Sequence, residues 1–244
     1  MRRLRVLDSG PRTEVFYEEG MSDYYLEDAT FIEGLPGIGM VSKVAVAHIL
    51  DALRDRAKRI CRLYSPEFPS PAFVSDGRLL LNFADLYALE DPSPTLILYG
   101  TSQPSSSYGQ HEFCYTVIEL ARKHGARRVF TVGGLGGREG ISPRREVFCS
   151  STDKENLEKF AKLVEGHVYS GQIVGAVGIL MNLAGLMGME NMGMLIEVGD
   201  STPDYYACRR AVWVLNRLAN LGLGDVTVDE LMRSYVRAAA RLDV

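Results

Sequence analysis

An apolar pair, Phe31-Ile32, runs into Glu33-Gly34-Leu35-Pro36-Gly37-Ile38-Gly39 and then into Val41, Val44, Ala45, His48, Ile49, Ala52 and Leu53 at helical spacing. A strand that turns through closely spaced glycines into an amphipathic helix opens a strand–helix–strand crossover, and this commits the chain to an α/β architecture. Glycine permits the tight turn because it has no Cβ, and the helix start presents unpaired amides carrying a partial positive charge. Such a loop can receive an anion. Its spacing nevertheless matches neither well-specified nucleotide motif. A phosphate-binding loop needs Lys-Ser/Thr directly after its last glycine, whereas Gly39 is followed by Met40-Val41-Ser42-Lys43. A dinucleotide fingerprint needs a third glycine where Ser42 stands.

Short apolar runs and helical patterns continue to alternate along the chain, which predicts parallel strands joined by crossover helices. The expected strands are Thr30–Glu33, Arg59–Tyr64, Thr95–Gly100, Arg128–Gly133, Gln172–Ala176 and Met194–Val198, most of them apolar through their centres. Ala72-Phe73-Val74 and Leu79-Leu80-Leu81 flank Asp76-Gly77 and read as a hairpin. Helix starts are signalled by Thr152 with Glu155, by Thr202-Pro203-Asp204 and by Thr227 with Glu230, and His124-Gly125 signals a helix end. The 244 residues suffice for one large core. The expectation is a single three-layer α/β domain over residues 1–244, its core at about 25–235, with a mostly parallel central sheet and a β-hairpin flap.

A net charge of -4 argues against nucleic acid as a partner, since no basic stripe is available to replace counterions on phosphates. Cys61, Cys114, Cys149 and Cys208 are far apart and form no C-x-x-C pair, so no metal or other cofactor is expected. Cys61 and Cys114 read as small core residues. The basic start Met1-Arg2-Arg3-Leu4-Arg5 lacks a following apolar segment, and the longest apolar stretch, Ile173 to Met189, is short, glycine-rich and interrupted by Asn182. A soluble, cytoplasmic protein without a membrane span is expected.

In a parallel sheet, ligands bind beyond the carboxyl ends of the strands. The loops Gly34–Gly39, Gly100–Gln110 and Gly133–Glu139, with Glu197-Val198-Gly199-Asp200, should meet there. The candidate ligand-binding residues are Gly34, Gly37, Gly39, Ser102, Gln103, Gly133, Gly134, Arg138 and Glu197. An enzyme would use Arg138 or Lys43 as an anion clamp, Glu197 or Asp200 as a general base and Ser102 or Gln103 to position substrate. Against this, Lys43 reads as lying on the exposed face of its helix and Glu197 as a cap or ion-pair partner. No G-x-S-x-G occurs, and His48, His111, His124 and His167 stand beside no nucleophile. The residues therefore favour a protein that is not an enzyme. The alternative is an enzyme or sensor of a small anionic or nucleotide-like metabolite at the glycine rim.

Glu33-Gly34-Leu35-Pro36-Gly37-Ile38-Gly39, Tyr64-Ser65-Pro66, Gly100-Thr101-Ser102-Gln103-Pro104, Tyr108-Gly109-Gln110, Thr131-Val132-Gly133-Gly134, Thr152-Asp153-Lys154, Gly175-Ala176-Val177-Gly178 and Pro203-Asp204 occur in this order. As an ordered set they resemble the proteasome assembly chaperone family, in the branch holding the archaeal homologues of the second assembly chaperone. The resemblance implies a fold similar to that of purine nucleoside phosphorylases. It also implies a non-enzymatic role, with proteasome α-subunits as partners and a homo-oligomeric state. Some members dock through a C-terminal hydrophobic–tyrosine–any tripeptide. This chain ends Leu242-Asp243-Val244, so contact through the folded surface is expected instead.

Overall fold

A computed structural model describes residues 12–70, 73–75, 77–137 and 140–240. The chain runs β1 (Glu14–Tyr17), β2 (Ala29–Gly34), a 3-10 turn (Ile38–Met40), α1 (Val41–Ala52), β3 (Lys58–Tyr64), β4 (Phe73–Ser75), β5 (Arg78–Leu80), β6 (Ala84–Leu89) and β7 (Thr95–Gly100). It continues through α2 (Ser107–Lys123), β8 (Ala126–Leu135), β9 (Val147–Ser150), α3 (Lys154–Leu163), β10 (His167–Val168), α4 (Ala176–Leu186), β11 (Glu190–Glu197), α5 (Tyr205–Ala219) and α6 (Val228–Ala240). Among the described residues one sheet holds nine strands in the order β1-β3-β6-β7-β2-β8-β11-β9-β10, and β4 and β5 pair antiparallel apart from it.

The centre of the sheet is parallel: β7, β2, β8 and β11 all point the same way. Every residue of β2 and of β7 is buried, because helices cover both faces. Period-two alternation sends neighbouring side chains into two separate cores. Ile32, Ile97 and Phe130 join the core beneath α1 and α5, while Phe31, Leu96, Leu98 and Val129 join the one beneath α2 and α4. The result is one α/β domain of three layers. Met189, Met192 and Met194 are buried in these cores, as are Cys61 and Cys114.

The sheet is mixed where a mostly parallel one was expected. β1–β3, β3–β6, β6–β7 and β11–β9 are antiparallel, equal in number to the parallel pairings β7–β2, β2–β8, β8–β11 and β9–β10. A parallel neighbour needs a crossover of a dozen or more residues. Among the described residues the chain between β3 and β7 forms no helix: β3 is joined to β6 through the β4–β5 pair and β6 to β7 by a short turn, and β6 pairs antiparallel on both sides.

Three local readings are also corrected. Gln172–Ala176 is no strand: Gly171 and Gly175 take φ of 159° and 84°, and Ala176 begins α4. The cap of α3 is Asp153, whose carboxylate accepts from the Asn156 amide, while Thr152 bonds to Asn191. The cap of α5 is Asp204, with Pro203 just outside the helix. At α6 the Thr227–Glu230 box forms in both directions, Thr227 N donating to Glu230 and Glu230 N to Thr227. Among the described residues no helix is long and apolar enough to cross a membrane.

Candidate functional site at the carboxyl edge of the sheet

Because β7, β2, β8 and β11 are parallel, the loops after Gly100, Gly34, Leu135 and Glu197 leave the same edge of the sheet. The loops after Gly34 and Gly100, with the ends of β2, β8 and β11 and the segment 172–174, enclose a cavity of ≈ 120 Å³. Of the residues anticipated from the sequence, Gly37, Gln103, Gly133 and Gly134 line it. Gly134 is there because the chain crosses closely: a Cβ on it would lie 2.3 Å from the Ile38 carbonyl oxygen. Gly39 takes φ of 63° and packs against Val198. Gly34 seats Val46 of α1. Gly37, by contrast, is extended (φ −156°), and the nearest atom to an added Cβ would be Gln103 Nε2 at 4.0 Å.

The polar wall of the cavity is Glu33, one residue before the end of β2 and outside the candidate residues anticipated from the sequence. Glu33 is 1% exposed. Its Oε2 accepts from the Leu35 amide at 2.8 Å, and the Ser42 hydroxyl lies 3.2 Å from its Oε1 while donating closely to its backbone carbonyl. Burial pushes the Glu33 carboxyl up to about 7, against the lowering effect of hydrogen bonds from Leu35, Ser42 and Val132. The turn that could have received an outside anion is therefore occupied by a carboxyl of the chain itself.

The start of α1 itself has no side-chain cap, whereas α4 and α5 on this edge receive side-chain acceptors. Gln103 donates from Nε2 to the Pro36 carbonyl at 2.6 Å and accepts at Oε1 from the Ala176 amide at 3.2 Å, thereby capping α4, whose Gly175 has no side chain to offer. Asp204, fully buried, accepts from the Tyr206 and Ala207 amides at 3.1 Å and from Gly199 N at 2.8 Å, and pairs with Arg145 at 3.0 Å. Asp204 N also donates to the Gly39 carbonyl at 3.0 Å, which fixes the glycine turn.

The remaining candidates are placed elsewhere. Glu197 is buried and turns from the cavity to accept from the Ser142 and Glu146 amides at 3.2 and 3.1 Å. Ser102 donates to the Gln103 carbonyl, and Asp200 is exposed. Lys43 is half-buried and donates to the Thr101 carbonyl at 3.1 Å, its amine lowered by burial to about 8. Arg138 lies outside the described residues. The cavity mouth carries two exposed apolar side chains, Ile38 and Val174, at 60% and 85% exposure. Pockets that enclose nucleotide-sized ligands run to roughly 300 Å³ or more, well above this one.

The PAC2 family profile matches residues 31–242. The chain belongs to the PAC2 family. Its fold is similar to that of PbaB from Pyrococcus furiosus, described as an archaeal proteasome activator, with a TM-score of 0.79 and 26% identity over 96% of this chain and 98% of that one. It is also similar in fold to Pyrococcus furiosus PbaA, described as an archaeal homolog of proteasome-assembly chaperone, with a TM-score of 0.71 and 23% identity over 96% and 90% of the two chains. In sequence it is 30% identical over 209 residues to the uncharacterized protein MJ1210 of Methanocaldococcus jannaschii, covering 84% of this chain and 78% of that one.

Proposed function

We propose that this PAC2 protein is a non-enzymatic binding protein that assists assembly of proteasome α-subunits and acts as a homo-oligomer. The observation that carries the reading is the filling of the glycine turn from within, where the buried Glu33 carboxyl accepts from the Leu35 amide and faces the Ser42 hydroxyl. A buried carboxyl opposes a phosphate or a nucleotide in the same place. The partner class comes from the likeness to PbaB. Exposed apolar side chains supply contact surface: Ile38 and Val174 at the rim, and Val74, Leu79 and Leu81 at and beside the β4–β5 pair, the latter three each at 60% exposure or more.

Native mass spectrometry of the purified protein, alone and mixed with proteasome α-subunits from the same source, tests this. A defined mixed complex is expected, and replacing Leu79 and Leu81 by serine should weaken it while leaving the melting temperature unchanged. A clean spectrum of uncomplexed protein at all mixing ratios would remove the partner assignment, and a monomer would remove the oligomer.

A further inference from the structure

Far from the glycine rim, the outward face of α5 carries Tyr206, Arg209, Trp213 and Arg217 in a stripe, while Ala207, Cys208, Ala211, Val214 and Leu215 point into the core. A groove of ≈ 600 Å³ runs between this stripe and the loop at residues 223–227, with Arg144 and Arg210 also on its walls. Four arginines in one groove stand out on a chain whose net charge is -4. The acids near them include Glu165, which pairs with Arg144 and lies 3.6 Å from Arg210, Glu146, whose charge also acts on Arg210, and Asp225 on the loop side.

Arg210 shows how this charge is held. It is 8% exposed, its guanidinium lies 4.1 Å from the centre of the Trp213 ring, and Nη2 donates to the Val164 carbonyl at 3.1 Å, while buried Nε has no hydrogen-bond partner. Burial, with Arg144 nearby, shifts it toward the neutral form. Arg217 flanks the same ring at 5.0 Å and Arg209 lies 5.8 Å from the Tyr206 ring, both exposed to solvent. The aromatic rings hold the guanidinium planes without neutralising them.

We propose that this groove receives an extended acidic segment of a partner protein, its carboxylates bound by Arg209 and Arg217 and an apolar side chain seated between Trp213 and Leu223. The spacing suits such a segment. Arg209 and Arg217 are eight residues apart on α5, about 12 Å along the axis, and side chains four residues apart on an extended strand are separated by about 13 Å. Arginine forks bind carboxylates in bidentate fashion. The apolar wall of Trp213, Leu223 and Val226 suits a peptide better than a sugar–phosphate backbone, and the acidic remainder of the chain repels a long polyanion. The inference does not depend on the proteasome reading.

Trp213 is the chain's one tryptophan, so its emission reports on the groove in the intact protein. The probe is a short glutamate-rich peptide containing leucine, titrated at low and raised salt. A saturable change in Trp213 emission, weakened by salt, is expected. Arg209→Glu should reduce the affinity by about tenfold or more at unchanged melting temperature, and Arg217→Ala should reduce it less. The proposal is overturned if no saturable change occurs at low salt, or if a lysine-rich peptide gives the same change. It is equally overturned if duplex DNA or inorganic phosphate binds as tightly, or if emission without peptide depends on protein concentration, which would mean that a second copy fills the groove.

Discussion

Replacing Glu33 by glutamine tests whether a buried carboxyl occupies the glycine turn at an energetic cost. In the native protein the group titrates near 7 instead of its ordinary 4.5. A native pKa above the unfolded one means that the folded state holds the proton through this interval, so stability is fully present below about pH 4.5 and is lost as pH rises through about 7. At about 1.4 kcal/mol per unit, the loss is about 3 kcal/mol. Glutamine keeps the shape and can still accept from Leu35 N, but it does not titrate. The stability of Glu33→Gln relative to the parent should therefore rise by about 3 kcal/mol between about pH 4 and pH 8, whatever constant offset the substitution brings. Urea unfolding at a series of pH values measures it, and contributions from other titrating groups cancel in the difference. A difference that stays flat over this range, or falls, refutes the argument and would mean that Glu33 is ionised and satisfied in place.

Two further substitutions probe the frame around the site. Asp85 is 2% exposed and takes Arg62 Nε and Nη2 at 2.7 and 2.8 Å across the β3–β6 pair, with Arg59 at 3.6 Å; Asp85→Ala removes the carboxylate that both arginines share and should cost about 3 kcal/mol, read as a fall in melting temperature of roughly 10 °C. Replacing Arg62 by methionine in the same variant should restore part of the loss, and failure of both Arg62→Met and Arg59→Met to do so would assign the effect to packing instead of charge. At the cavity, Gly134→Ala drives a Cβ into the Ile38 carbonyl and should destabilise by about 2 kcal/mol, whereas Gly37→Ala meets nothing nearer than 4.0 Å and should stay within about 0.5 kcal/mol. Equal effects in chemical denaturation would show that the turn is not packed as described.

The fold was legible where burial on both faces writes a continuous apolar run. β2, β7, β8 and β11 are such strands, and α1 after the glycine turn was legible from its helical spacing. It was illegible where a strand keeps a polar face or a short length. In β6, Asp85 and Tyr87 interrupt the apolar pattern because Asp85 faces Arg62, and β9 and β10 span only four and two residues. Gln172–Ala176 misled in the opposite direction, its Ile173 and Val174 resembling a strand although Val174 is 85% exposed at the cavity mouth. Apolar residues placed for an exposed rim and apolar residues placed for a core look the same in a sequence.

The site was legible as a place and illegible as chemistry, and the reason is a single residue. The convergence of Gly37, Gln103, Gly133 and Gly134 follows from strand direction, which the alternating pattern predicts at the centre of the sheet. What the glycines serve does not follow from their spacing. A carboxylate directly before a Gly-x-Pro-Gly turn, with a serine on the first turn of the helix, is the signal that was present: Glu33 reaches Leu35 N and Ser42 Oγ within one local loop. A phosphate loop leaves such donors open toward a ligand. Here the chain supplies an acceptor of its own to the turn, the buried Glu33 carboxyl at Leu35 N, in keeping with the incomplete nucleotide motif.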